Sequence, residues 1–356
     1  MTKETANHID ELLYGSGLFS STTINLKSKV FFDFSDEIIL ITGAAGSIGS
    51  GLTKQLINCK YQKLILIDKA ESDLYELIKD LEFEKTINIE FILLDIIDEK
   101  SIKKLFEVYK PSIVFHTAAY KHVPLMESHP YEAVKLNIFG TKLLADLSVY
   151  QKVKKFIFIS TDKAVNPINI MGISKKIGEN YLNFLNAQSN TLFITTRFGN
   201  IFGSNGSIVP LIKKQIEFGN PITVTDINIS RYFISKYRAC ELILKLASLQ
   251  NYNSRLYTFN MGNPIKITNI IERLISFYGN PEKKSEIKII GLRPGEKLKE
   301  DIIAEDELFG KTEDSDILSV TNIKKPIPQN IDFKELQNIT PFMTKKEIKN
   351  ILLKYI

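Results

Sequence analysis

From residue 37 onward, short runs of Ile, Leu, Val and Phe alternate with longer segments whose apolar positions recur at helical spacing. Short apolar runs bounded by turn residues fit strands buried on both faces, so the alternation predicts a parallel sheet covered by helices on each side. Strands are expected at 37–42, 63–68, 89–94, 113–117, 156–160, 193–197 and 256–260. Helices are expected near 47–58, 71–84, 99–109, 130–150 and 171–187, connected by right-handed crossovers. Elements in this order suffice for a doubly wound α/β sheet.

After Asn200 the alternation fails, and Gly203, Gly206, Pro210, Gly219 and Pro221 interrupt the chain. A second, smaller unit is expected there, built from 201–228 and 261–356, with 229–260 returning to the sheet of the first unit, 37–200. Residues 1–36 show no strong period and read as an N-terminal extension. Within it the Gly15-Ser16-Gly17 and Ser20-Ser21-Thr22-Thr23 stretches have the composition of a linker. The chain has no internal repeat.

Length and charge narrow the possibilities. At roughly 100 to 200 residues per domain, 356 residues accommodate two such units or one large domain with an elaborated half. The 46 Lys and Arg residues are interspersed with 41 Asp and Glu, with no basic block to follow a phosphate backbone, so nucleic acid is not an expected partner. No apolar run reaches the roughly 18 residues that span a bilayer, and residues 1–10 lack the order of a signal peptide, which predicts a cytoplasmic chain without a membrane span. Cys59 and Cys240 stand far apart, each in an apolar-periodic stretch that reads as helix, so buried thiols are expected instead of a disulfide. The four histidines show no ligand spacing, and no metal site is expected.

The chemistry begins where the first strand ends. It runs into Thr42-Gly43-Ala44-Ala45-Gly46-Ser47-Ile48-Gly49, a Gly-x-x-Gly-x-x-Gly turn that opens a helix. Glycines let backbone N–H groups approach a pyrophosphate, and the helix N-terminus adds its positive dipole end. Asp68, closing the second strand about 20 residues on, is where a carboxylate binds the adenosine ribose hydroxyls of a dinucleotide. The sheet is therefore expected to be of the Rossmann kind. A carboxylate at Asp68 repels a 2′-phosphate, which favours NAD, although Lys69 beside it could offset that repulsion. Asp95 and Ile96, past the third strand, are placed to meet the adenine, with helix capping as the plainer role for Asp95. Ala118 and Ala119 are small enough for the cofactor to pass.

Further motifs follow: His116-Thr117-Ala118-Ala119-Tyr120-Lys121-His122-Val123-Pro124, Asn137-Ile138-Phe139-Gly140-Thr141, Ser160-Thr161-Asp162-Lys163-Ala164, Met171-Gly172-Ile173-Ser174-Lys175, Arg197-Phe198-Gly199-Asn200, Ser230-Arg231-Tyr232-Phe233 and Gly291-Leu292-Arg293-Pro294-Gly295-Glu296-Lys297. With the glycine turn they resemble the extended short-chain dehydrogenase/reductases, and more narrowly the bacterial UDP-N-acetylglucosamine 4,6-dehydratases of polysaccharide biosynthesis, over about residues 37–300. Two positions depart from the family pattern. Most relatives carry Tyr where Met171 stands, and the branch with Met resembles the dehydratases that retain configuration at sugar carbon 5. Thr117 occupies a position more often Ala.

The resemblance implies loss of water from a UDP-N-acetylhexosamine with no net redox change, in a smaller C-terminal substrate domain joined to the NAD-binding one. By the same resemblance Asp162 is the acid for the leaving hydroxyl, Lys163 the base at carbon 5, and Thr161 lies near the carbon 4 hydroxyl. These roles require Asp162 to carry a proton, through burial or a carboxylate neighbour, and Lys163 to be able to lose one. Taken alone, the run is only a polar turn after a strand. Lys175, one helical turn from Met171, would bind the nicotinamide ribose. A thioether cannot accept a hydroxyl proton, so Met171 lines the site, and the base at carbon 4 is either Thr161 working through Lys175 or water. Arg231, Arg293 and Asn200 are expected to hold the UDP portion and Glu296 the uridine ribose. Lys121 and Asn137 are expected in the cleft, and His116 and His122 to be structural. A homo-oligomer is expected. Two other functions compete: a UDP-hexose epimerase or carbon-5-inverting dehydratase, and a catalytically silent dinucleotide-binding regulator, which would need no acid and base.

Overall fold

A computed structural model describes residues 1–16, 31–82, 84, 88–279, 286–323 and 330–356. Nine strands form one sheet: β1 Asp33–Thr42, β2 Lys60–Asp68, β3 Ile89–Leu93, β4 Ile113–His116, β5 Lys155–Ile159, β6 Leu192–Arg197, β7 Leu256–Phe259, β8 Glu307–Lys311 and β9 Ile317–Asn322. Their order across the sheet is β8-β9-β7-β6-β5-β4-β1-β2-β3. The first seven pair in parallel, whereas β9 runs antiparallel to both β7 and β8. All seven expected strands are present, and the helices at Ser47–Leu56, Glu71–Leu81, Glu99–Tyr109 and Ile170–Gln188 lie where the periodicity predicts them.

Alternation within each strand divides the core in two. Leu40, Ile65, Val114, Phe156, Phe158 and Phe193 face one layer of helices, including Glu99–Tyr109 and Ile170–Gln188. Ile39, Ile41, Leu64, Leu66, Phe115 and Ile157 face the other, including Ser47–Leu56 and the helix Lys236–Ser248. Because both faces are covered, Ile39, Leu40 and Ile41 are all fully buried, which explains the unbroken apolar run. Gly51 brings the helices of the second layer together: a Cβ there would stand 2.6 Å from Cys240 Sγ. Both cysteines are free, Cys240 buried and Cys59 half-buried, but Cys59 lies in the turn before β2 and not in a helix.

A third core belongs to the second unit. Val209, Ile212, Ile222, Val224, Ile270 and Leu274 pack together, and three two-stranded pairs frame them: Asn200–Phe202 with Phe233–Ser235, Ser230–Arg231 with Ile265–Lys266, and Ile222–Val224 with Ile287–Ile289.

The chain differs from expectation at both ends. Residues 1–36 are not featureless: Lys3–Tyr14 forms a helix capped by Thr2, and its Ile9, Leu12 and Leu13 insert into the third core while Asp10 pairs with Arg273. Three apolar positions on one turn-and-a-half are too few to stand out in a sequence. Residues 33–36 already belong to β1, and the linker stretch at Gly17 and Ser20–Thr23 lies outside the described residues. The tract 261–356, expected to join the second unit whole, divides. β8 and β9 extend the main sheet, and Phe333, Leu336, Ile348 and Leu352 pack into the first core.

Candidate active site

Strand order reverses between β1 and β4, and at the carboxyl ends of these strands a cleft of about 590 Å³ opens between the sheet and the second unit. Gly46, Ser47 and Ile48 form part of its wall. Two glycines of this turn are dictated by space. Gly43 has φ +67°, and a Cβ there would lie 2.7 Å from the Ala118 backbone; at Gly49 it would lie 2.2 Å from the Gly43 carbonyl. The helix Ser47–Leu56 starts after Gly46 with no side-chain cap, leaving its first N–H groups for a ligand. Asp68 braces the turn: Oδ2 accepts from the Ala45 N–H and Oδ1 from the Ala70 N–H, each at 2.9 Å. Thr117, the departure from the more usual Ala, donates its hydroxyl to the Thr42 and Gly43 carbonyls at 2.7 and 3.1 Å and so ties the β4 loop to the glycine turn.

The helix Glu99–Tyr109 is capped by Asp98, not Asp95. Asp95 instead accepts from the Ile97 N–H and stands 3.5 Å from Lys69 Nζ, which also donates to the Tyr120 hydroxyl. Lys69 is thus engaged and does not present a free cation to a 2′-phosphate. The Ile96 side chain is buried against Gly140, so only its main chain can face a ligand.

Thr161, Asp162 and Lys163 follow β5 after Ser160. Thr161 Oγ1 and Lys163 Nζ both donate to Asp162 Oδ1, at 2.8 and 3.0 Å, and Lys163 Nζ also donates to Asn200 Oδ1 at 3.2 Å. Asp162 is fully buried, and its Oδ2 has no partner among the described residues. The helix Ile170–Gln188 docks on this loop because residue 172 is glycine: a Cβ there would stand 2.1 Å from the Lys163 carbonyl. Met171 and Lys175, one turn apart on that helix, line the cleft with Thr161, Lys163, Ala119 and Lys121. Lys175 Nζ lies 3.9 Å from the centroid of Phe158, and burial pulls the ammonium down to about 7, against the attraction of Glu179. Burial likewise lowers Lys121. His116 is structural: Thr42 and Thr141 hold its two ring nitrogens at 2.8 Å, and burial with help from Lys175 keeps it neutral.

Several expected substrate contacts are placed differently. Asn137 does not reach the cleft. It is fully buried in a π-helical turn, its Oδ1 accepting from the Tyr120 N–H and its Nδ2 donating to the Tyr120 carbonyl and Ser174 Oγ, so it shapes the β4 loop. Asn200 lines the cleft and accepts from Lys163. Arg231 also lines it, but its guanidinium donates to the Ser230, Lys297 and Leu298 carbonyls, holding the loop after Gly291 in place. Glu296 accepts from the Arg293 N–H and lies 3.7 Å from Arg231, while Arg293 stands exposed at the rim. Two acids of this region were not foreseen. Glu300 lines the cleft, and Glu179 lies beneath it, accepting from Ser160 Oγ at 2.6 Å. In sequence Glu300 cannot be told from Asp301 beside it. Glu179 did carry a signal, as an acid one turn after Lys175 on the buried helix face.

Among the described residues no helix is long and apolar enough to cross a membrane, and no cluster of His, Cys, Asp and Glu could hold a metal.

Relatives place this architecture. The capsular polysaccharide biosynthesis protein CapD of Staphylococcus aureus is 40% identical over 78% of this chain. That match is 46% of the relative's own length, and for a Bacillus subtilis probable polysaccharide biosynthesis protein, EpsC, the figure is 53%, so the chain spans about half of each. An inverting UDP-N-acetylglucosamine 4,6-dehydratase of Campylobacter jejuni is 32% identical over 84% of this chain and 87% of its own. Among solved structures, Pen from Bacillus thuringiensis superposes with a TM-score of 0.73 at 28% identity, covering 90% of this chain and 98% of that one. Residues 39–322 match the family described as polysaccharide biosynthesis protein, and the chain belongs to that family, within the nucleotide-sugar dehydratases and epimerases of the extended short-chain dehydrogenase/reductase fold.

Proposed function

We propose that this chain is an NAD-dependent UDP-N-acetylglucosamine 4,6-dehydratase that retains configuration at sugar carbon 5, yielding a UDP-4-keto-6-deoxy-N-acetylhexosamine for glycan biosynthesis. The observation that carries the proposal is the acid–base set at the cleft. Thr161 and Lys163 line the cleft with Lys175 and the glycine turn, and both donate to Asp162, which is buried behind them. A carbon 4 epimerase has no use for a second acid and base, and Met171 removes the phenol such an enzyme uses.

Residues of the glycine turn, with Asp68 on the adenosine ribose and Lys175 on the nicotinamide ribose, fit a dinucleotide. When bound, the nicotinamide supplies a reversible hydride acceptor. The chain then has three tasks. Thr161 accepts the hydrogen bond of the carbon 4 hydroxyl, with Lys175, near neutrality at about 7, able to exchange protons close by. Lys163 takes the proton from carbon 5, which a ketone at carbon 4 has acidified. Asp162 gives its proton to the hydroxyl leaving carbon 6, which departs as water. Arg293 at the rim and Lys121 on the wall offer positive charge to the diphosphate.

Incubation with UDP-N-acetylglucosamine followed by proton NMR tests this reading. A new methyl doublet beside a 4-keto carbon is expected. Formation of UDP-N-acetylgalactosamine instead would establish the epimerase.

A further inference from the structure

The sheet's switch point lies between β1 and β4, and one chain of side-chain contacts crosses it. Lys69 directly follows Asp68, the last residue of β2, on one side of β1. Tyr120 stands in the loop past the end of β4, on the other side. Lys69 Nζ donates to the Tyr120 hydroxyl at 2.5 Å and lies 4.5 Å from the centroid of the Tyr120 ring. The contact therefore bridges the end of β1, where the glycine turn begins.

Both ends of the bridge are anchored. The buried Asn137 amide accepts from the Tyr120 N–H at 2.9 Å and donates to the Tyr120 carbonyl at 3.0 Å, and the ring packs against the first core. On the other side Asp68 accepts from the Ala70 N–H at 2.9 Å. Asp95, past β3, stands 3.5 Å from Lys69 Nζ and is itself held by the Ile97 N–H at 3.2 Å. The carboxyl ends of β3, β2 and β4 are thus joined in a row that passes over β1. Tyr120 lines the cleft with Gly46 and Ser47 of the turn, whereas the Lys69 side chain is 38% exposed, so the bridge sits at the mouth and not in the floor. An ammonium held by a hydroxyl, a ring face and a carboxylate gains from each, yet its flexible stem lets the contact part by rotation of one side chain.

We propose that Asp95, Lys69 and Tyr120 form a clasp across the adenosine end of the dinucleotide site, one that has to open for the cofactor to enter or leave. Asp68, the neighbour of Lys69, marks that end. In a reaction without net redox change, dehydration and epimerisation alike, the cofactor need not leave between turnovers, so slow exchange is no hindrance. The clasp does not depend on which of these reactions the cleft carries out.

Release of NAD tests it: the NAD-loaded chain is chased with excess NADH, and the rise of bound NADH fluorescence reports the rate. Lys69→Met should speed release at least about tenfold, as for loss of a hydrogen bond to a charged group. Tyr120→Phe should act in the same direction and less strongly, because its ring still faces the ammonium. In the double variant release should be no faster than in Lys69→Met, since the hydroxyl works only through the lysine. Melting temperatures near that of the wild type are expected, which keeps the effect apart from loss of folding. Release at the wild-type rate in both single variants, whatever their melts, would reduce the bridge to a surface contact and overturn the proposal. Effects that multiply in the double variant would overturn it as well, because each side chain would then act on the cofactor by itself. A wild-type chain that takes up neither NAD nor NADH would remove the dinucleotide site and the clasp with it.

Discussion

Arg197 and Glu179 meet edge to edge in the core beneath the cleft: the guanidinium Nε donates to Oε1 at 2.8 Å and Nη2 to Oε2 at 2.6 Å, while Nη1 reaches Glu307 at 2.7 Å. Glu179 also accepts from Ser160, the residue before Thr161. One buried network thus joins β6, the antiparallel edge strand β8, the helix that carries Met171 and Lys175, and the start of the acid–base loop. Burial alone would raise the Glu179 carboxyl, but the Arg197 charge and hydrogen bonds outweigh it and hold the group below the ordinary glutamate value.

Removing the arginine takes from Glu307 its only cation among the described residues and leaves Glu179 with Lys176 alone, 3.7 Å away. Arg197→Met should therefore lower unfolding free energy by about 3 to 5 kcal/mol, measured by urea denaturation. A loss below about 1 kcal/mol, the range of exposed pairs, would mean that the network relaxes into water.

The first seven strands were legible because a strand buried on both faces is an uninterrupted apolar run, as in Ile38-Ile39-Leu40-Ile41. β8 and β9 were not. An edge hairpin needs apolar residues on one face only, and Leu308 and Phe309 are exposed there. Of the site, Gly43 and Gly49 could be read because close backbone approach restricts the residue type. Asn137 was misplaced since a buried amide satisfying a loop and an amide binding substrate look alike in sequence. Arg197 and Glu300 depend on partners 18 to 110 positions away or on burial, which no local pattern records.

Lys175 gives a prediction with a definite sign. Its folded value of about 7 lies below the ordinary lysine value of 10.5. Between these two pH values the unfolded chain binds the extra proton, so stability rises as pH rises from about 7 to 10.5, and the penalty is fully present below 7. The gap is worth about 5 kcal/mol. Cofactor-stripped Lys175→Met should be more stable than the wild type at pH 7 and should lack this rise, while its turnover collapses. Parallel stability curves for the two proteins from pH 7 to 10 would show that Lys175 is ordinarily solvated.

Lys163 and Met171 should behave oppositely although both line the cleft. Replacing Lys163 by Met removes a positioned proton acceptor and should cut kcat by at least about a hundredfold, with NAD retained. Met171→Leu keeps volume and apolarity and should cost less than about 1.5 kcal/mol of stability, with most turnover kept. Steady-state rates beside thermal melts separate the cases. A collapse of Met171→Leu comparable to that of Lys163 would give the thioether a part in the chemistry.

Isotope labelling tests the reaction cycle as a whole. The proposal requires that hydrogen leaving carbon 4 return to carbon 6 of the same sugar, because the acid–base set at Asp162 and Lys163 provides for eliminating water but not for releasing an oxidised product. Substrate deuterated at carbon 4 should therefore give product deuterated in its methyl group. In heavy water, carbon 5 should gain solvent deuterium, since Lys163 lines an open cleft and its protons exchange between abstraction and return. Coupling constants of fresh product should show carbon 5 in the D-configuration, the outcome expected where Met171 replaces the tyrosine. Label lost from the methyl group would reject the internal cycle. Label kept with carbon 5 inverted would reject only retention, and would mean that the proton returns to the opposite face of the sugar ring.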